Sequence, residues 1–155
     1  MKKIVMLFLA AALCIVSCSK SDYVVYENIP AAFYISESGV VTVDDLQTDL
    51  TFTVVKGGDA HYTAQVSLVE DTRLIVKHNI SNDLNYIPLP AECYSLSASS
   101  LSFEEDLDRQ QFTITFAQEQ IDALEKGNYA VALALESDNA VVNSEKGYVL
   151  LLIEK

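Results

Sequence analysis

Leu124-Glu125-Lys126-Gly127-Asn128-Tyr129-Ala130-Val131-Ala132-Leu133-Ala134-Leu135 is the stretch on which the fold turns. From Tyr129 onward, Tyr129, Val131, Leu133 and Leu135 alternate with Ala130, Ala132 and Ala134. A period of two is that of a strand, whose successive side chains leave by opposite faces. The same period recurs three times on either side. Leu50, Phe52 and Val54 alternate with Thr51 and Thr53; Tyr62, Ala64, Val66 and Leu68 with Thr63, Gln65 and Ser67; Phe112, Ile114 and Phe116 with Thr113 and Thr115. Large apolar residues on one face and hydroxyl residues on the other read as half-buried antiparallel strands. Further strands are expected at 31–36, 39–43, 94–97, 99–103 and 148–153. The last of these is apolar on both faces, which predicts cover on both sides.

Between the strands, Lys56-Gly57-Gly58-Asp59 reads as a tight reversal, since glycine accepts positive φ without penalty. Two helical turns are expected. One spans Asp71 to Lys77, with an acidic start and a basic end; the other spans Gln118 to Lys126 and stops at Gly127. Pro88-Leu89-Pro90 reads as an irregular loop, because a proline lacks the N–H that a ladder requires. Asn139 and Asn143 bracket a loop before the final strand.

Leu124, Gly127 and Tyr129 immediately before a strong strand match the tyrosine corner of immunoglobulin-like sandwiches, where the phenol hydrogen-bonds to upstream backbone. The predicted fold is therefore all-β: an immunoglobulin-like antiparallel sandwich of seven to nine strands with one or two short helical turns. A chain of 155 residues suits one domain, and 50% hydrophobic residues with three prolines and five glycines exclude wholesale disorder. With 22 acidic and 10 basic residues the net charge is −12, which argues against a nucleic-acid partner, since phosphate binding needs clustered Lys and Arg.

The N-terminus reads as an address. Lys2 and Lys3 precede thirteen uninterrupted apolar residues, Ile4 through Val16. That run is too short to span a bilayer and suits the apolar core of a signal peptide. It ends in Ile15-Val16-Ser17-Cys18, which resembles the bacterial lipobox, with Cys18 as the lipid acceptor; an ordinary secretory signal with an incidental cysteine is the alternative. The expected organisation is a lipoprotein signal peptide at 1–17, a lipidated cysteine and tether at 18–30, and a sandwich domain at 31–155. Within the tether, Tyr23-Val24-Val25-Tyr26 reads alternatively as a first edge strand. The first partner implied is membrane lipid through acylated Cys18, with several acyl chains needed for stable anchoring. After cleavage Cys93 has no partner for an internal disulfide and is expected as a small buried residue.

From 31 to 155 the chain resembles an immunoglobulin-like domain of unknown function common in Bacteroidetes lipoproteins. That domain stands N-terminal in family 18 endo-β-N-acetylglucosaminidases and in other proteins of glycan-utilisation loci. The residues that carry the resemblance are Thr53-Val54-Val55-Lys56-Gly57-Gly58, Ala64-Gln65-Val66-Ser67-Leu68-Val69, His78-Asn79 ahead of Tyr86, Leu89-Pro90-Ala91-Glu92-Cys93-Tyr94-Ser95-Leu96, and Gly127-Asn128-Tyr129. The chain departs from the family at Glu104-Glu105-Asp106-Leu107-Asp108, where a glycine is usual, and at Ala130-Val131-Ala132-Leu133, where a Leu-Pro pair is usual. The resemblance implies a fold and a habitat, and no reaction; exposure at the cell surface is expected instead from Ser19-Lys20-Ser21-Asp22, which faintly resembles the stretch after the cysteine that directs some Bacteroidetes lipoproteins outward.

Candidate chemistry is sparse. The only histidines are His61 and His78, and the sequence has no Gly-x-Ser-x-Gly elbow, phosphate loop or His-Glu-x-x-His motif. No catalytic residue, cofactor or metal site is therefore expected; Glu104 to Asp108 is acidic enough to suggest Ca²⁺, but reads as a solvated strand connection. Among eight Tyr and six Phe, Tyr86 in the loop before Pro88 is the one aromatic nominated as an exposed platform for a sugar ring, with packing over the rim of the sandwich as the alternative reading. The functional expectation is a non-catalytic, lipid-anchored accessory module of an outer-membrane glycan-utilisation or envelope assembly, partnered by a glycan or an outer-membrane glycan importer. A surface glycan-binding lipoprotein is the alternative, and a small glycoside hydrolase a weaker third reading.

Overall fold

The computed structural model describes residues 30–44 and 47–155. The signal peptide, Cys18, and the Tyr23–Tyr26 strand alternative lie outside the described residues. Nine strands correspond to the expected ones: β1 (Ala32–Ile35), β2 (Gly39–Thr42), β3 (Asp49–Gly57), β4 (Ala64–Glu70), β6 (Tyr94–Leu96), β7 (Ser100–Phe103), β8 (Arg109–Phe116), β9 (Asn128–Glu136) and β11 (Tyr148–Glu154). Two further two-residue strands, β5 (Ile87–Pro88) and β10 (Val141–Val142), bring the described total to eleven. Helices α1 (Thr72–Asn82) and α2 (Gln118–Ala123) complete the set, with a 3₁₀ turn at Ala91–Cys93.

The strands form two sheets. One has the order β10-β1-β3-β8-β6; the other is β2-β11-β9-β4-β7, with β5 attached to β9. The runs β1-β3-β8-β6 and β4-β9-β11 reproduce the ABED and CFG sheets of an immunoglobulin sandwich. Tyr129 completes the corner by donating its phenol hydrogen to the Glu125 carbonyl at 3.0 Å. Inward residues of both sheets make one core around Phe33, Ile35, Val54, Phe103, Phe112 and Leu133, all at most 1% exposed. Each such side chain contributes roughly 1.5–3 kcal/mol on burial, so the sandwich holds without a disulfide.

Several local expectations are corrected. The sheets are not wholly antiparallel: β1 pairs β10, β2 pairs β11 and β5 pairs β9 in parallel. The N-terminal strand switches sheets at Gly39, which accounts for the β2–β11 pair. Lys56-Gly57-Gly58-Asp59 is not a hairpin, because β3 and β4 belong to different sheets; Gly58, at φ 93°, turns the chain across the sandwich. Pro88 does enter a ladder, beside Ala130, on the edge of β9 that β4 has left. The ladder bond that Pro88 cannot donate is supplied next door, where the Leu89 N–H reaches the Ala130 carbonyl at 2.9 Å. Gly147 is required by close approach, since a Cβ there would meet Val142 Cγ1 at 2.5 Å and the Asn143 carbonyl oxygen at 2.6 Å.

Helix α1 runs five residues beyond the expected Lys77. Asp71 caps its start, accepting from the Arg73 N–H at 3.1 Å. Asp83, at φ 55°, ends it in the left-handed conformation that a short polar side chain tolerates. The helix lies on the outer face of the second sheet. There Ile75 and Tyr86 pack on Ala130, Ala132, Leu150 and Leu152, a second small core outside the sandwich. This is the two-sided cover that the apolar β11 predicts.

Candidate functional site

Tyr86 is not the exposed platform expected of it. It is 6% exposed, with its ring in the small core under α1. Asn79 fixes its backbone from the helix: Tyr86 N–H donates to Asn79 Oδ1 at 3.0 Å, and Asn79 Nδ2 donates to the Tyr86 carbonyl at 2.8 Å. Its hydroxyl donates to Glu154 Oε1 at 2.9 Å, and the His78 ring stands edge-on at 6.2 Å between centroids. Burial, and then the bond to the Glu154 carboxylate, push the Tyr86 phenol above its usual range. The sequence placed Tyr86 in a loop and so gave it to solvent; the residues it packs on, Ala130, Ala132, Leu150 and Leu152, and its partner Glu154 are remote in the chain.

The other residues that carry the sequence resemblance have similar architectural tasks. Cys93 is fully buried, and burial raises its thiol pKa. Tyr94 spans the sheets to donate its hydroxyl to Glu70, and burial together with that carboxylate pushes its phenol up. Lys56, 5% exposed, is the buried charged residue among those described. Its ammonium donates to the carbonyls of Ala60 (2.8 Å), Tyr62 (3.0 Å) and Glu104 (3.0 Å), tying the β3–β4 and β7–β8 connections together. Nothing in the local sequence marks this lysine, because its partners are backbone carbonyls, two in the turn that follows it and one on a remote connection.

The titratable candidates do not assemble into a reaction centre. His61 stays at the surface, 3.9 Å from Asp106 in the acidic connection. His78 lies on α1, on the opposite face of the second sheet from the core. Among the described residues no group of three or more His, Cys, Asp or Glu is arranged to hold a metal ion. No described helix is long and apolar enough to cross a membrane.

A concavity lined by six polar side chains lies where α1 stops covering the second sheet. Beyond Asp71 the outer face of β4 is bare, presenting Gln65, Ser67 and Val69. The connection from β9 to β10, through Ser137, Asp138 and Asn139, rises beside it and encloses a groove of about 400 Å³ with Glu136 at its edge. This connection is pinned to β4: the Ser137 hydroxyl donates to the Gln65 carbonyl at 2.8 Å and Asn139 Nδ2 to the Thr63 carbonyl at 3.4 Å. The groove escaped the sequence reading because half of it is the wet face of a strand and half a loop remote in the chain. A second cavity, about 290 Å³, lies between α2 and the chain end at Ile153 to Lys155.

Residues 20–142 match the model of a protein family described as "-like, N-terminal domain". The chain belongs to this family of N-terminal domains. The match agrees with the resemblance carried by the residues from Thr53 to Tyr129. Solved structures share the fold. A Bacteroides ovatus protein provisionally described as carbohydrate binding superposes with a TM-score of 0.61 at 18% identity, over 80% of this chain and 37% of its own. Bacteroides thetaiotamicron EndoBT-3987, solved with Man5GlcNAc product, gives a TM-score of 0.56 at 16% identity over 79% of this chain and 30% of its own. The apo-form Calx CBD1 domain gives 0.55 at 18% identity, over 81% and 99%. The family member thus spans 37% and 30% of these two Bacteroides chains, well under two thirds of either. No curated protein sequence matches it.

Proposed function

We propose that the chain is a non-catalytic accessory module of an outer-membrane glycan-utilisation or envelope assembly, held to the membrane by acylated Cys18 and exposed at the cell surface. The observation that carries this reading is modular: the same sandwich recurs as 37% of a chain described as carbohydrate binding and 30% of EndoBT-3987. The lipobox Ile15-Val16-Ser17-Cys18 supports the anchor and the 18–30 tether. The structural employment of Tyr86, Tyr94, Lys56 and Cys93 supports the non-catalytic half. Mass spectrometry of the membrane fraction is expected to find the chain cleaved before Cys18 and acylated there, and protease treatment of intact cells to remove the domain. Unmodified full-length protein in the cytosol would overturn the anchor; turnover of N-glycan or chito-oligosaccharide substrates by the chain would overturn the non-catalytic assignment.

A second reading, direct capture of glycan at the surface, is favoured by the groove beside β4. Its polar walls are fixed in place before any ligand arrives, which lowers the ordering cost of binding. Affinity electrophoresis against host and plant glycans tests it, retardation being the expected result.

A further inference from the structure

Resting on that second reading, we propose that the groove between β4 and the β9–β10 connection is the glycan site and that it selects uncharged over anionic sugar chains. The argument is one of donors and acceptors. Gln65 Nε2 gives one of its two N–H groups to Ser100 Oγ at 3.2 Å, so Gln65 offers a ligand its carbonyl oxygen and one remaining N–H. The Ser137 hydroxyl already donates to the Gln65 backbone carbonyl and lies 3.1 Å from Asn139 Oδ1, leaving it as an acceptor. Asn139 gives one of its two amide N–H groups to the Thr63 carbonyl at 3.4 Å. Glu136 and Asp138 add two carboxylates, which only accept. The groove is therefore rich in acceptors, and a row of hydroxyl groups is the ligand chemistry that supplies donors to all of them. The Ser67 hydroxyl can return a donor, and half-buried Val69 offers an apolar spot to the C–H face of a ring.

Charge sets the selectivity. No cation lines the groove. The nearest, Arg73, faces Glu136 but is engaged by Asp71 through Nε at 2.7 Å and Nη2 at 3.0 Å. A uronate or sulfate would meet the Glu136 and Asp138 carboxylates within a screening length of about 8 Å, on a protein of net charge −12. The volume, about 400 Å³, falls within the range of small-ligand sites, and the walls come from a strand and a loop pinned to it.

Calorimetry of the detergent-solubilised full chain tests this with two panels: uncharged manno-, gluco- and chito-oligosaccharides, and anionic oligogalacturonates and heparin fragments. Binding is expected from the uncharged panel alone. Gln65→Ala should weaken it by about tenfold or more, and the pair Glu136→Gln with Asp138→Asn should admit anionic chains. All three positions are exposed, so an unchanged melting temperature verifies the fold of each variant. Uncharged-glycan binding that ignores Gln65→Ala would overturn the groove as the site while leaving the capture reading intact. Preference for the anionic panel would overturn the selectivity. Silence across both panels would overturn the proposal and the capture reading together.

Discussion

Lys56 places an ammonium among three carbonyl oxygens at the end of the sandwich where the acidic Glu104–Asp108 connection turns. Hydrogen bonds from a charged donor are worth more than neutral ones, and removing the donor leaves its buried acceptors unpaired. Lys56→Met keeps most of the apolar stem and deletes the ammonium; it is expected to lower stability by about 1–3 kcal/mol, read from urea unfolding with an unchanged slope. Two phenols carry a second expectation. Tyr86 and Tyr94 are both held protonated above their ordinary range, by burial first and then by their bonds to Glu154 and Glu70. A pKa raised in the folded state means that this stability is fully present below about pH 10 and is lost as pH climbs through the folded values. Melting temperatures taken upward from about pH 8 should fall in the alkaline limb, and Tyr86→Phe should flatten part of that fall. A limb as steep in Tyr86→Phe as in the parent would rule out its share.

Helix α1 and the face beneath it form the element most separable from the rest. The inner core is closed without it, and its own cluster rests on Ile75, Tyr86, two alanines and two leucines. Ala130 and Ala132 let the helix sit close to β9, which is why small residues fill the face that elsewhere carries threonine. Ile75→Ala, at 3% exposure, is expected to cost about 2–5 kcal/mol. Hydrogen exchange should rise in Thr72–Asn82 before it rises in β3 or β8, because local opening needs only the small cluster to part. Equal loss of protection in helix and strands would show that the helix and sandwich open as one unit. The alanine row was a legible signal in the sequence. Alternation marks it only as the second face of a strand, cover being expected over the neighbouring 148–153 run; the return of the chain over that face shows that the cover is α1.

At the scale of the molecule, the acidic end and the buried lysine are one arrangement. The carbonyl cradle that would suit a cation already holds Lys56 Nζ. Millimolar Ca²⁺, or its removal by chelator, is therefore expected to move the melting temperature by less than about 1 °C; a rise of several degrees would place a metal site at this end. The sandwich's two sheets differ in what they leave open. The first buries its inner face alone, whereas the second is covered outside by α1 over β9 and β11 and is left bare over β4, and the groove exists because of that half-cover.

Period-two alternation was enough to locate four of the strands, and the Leu-Gly-Tyr spacing before β9 was enough to name the sandwich, because both depend on neighbours within a few residues. Pairing was another matter. The β3 and β4 sequences alternate equally well and read as a hairpin, yet they lie in different sheets, since alternation fixes which face is apolar and not which strand lies alongside. Tyr86 carries the same lesson at one side chain: its loop position suggested exposure, and His78 and Asn79 of α1 with Glu154 of β11 enclose it from two places in the chain. The acceptor-lined groove depended wholly on tertiary structure, because its walls are residues some seventy positions apart that meet only when β4 and β9 pair.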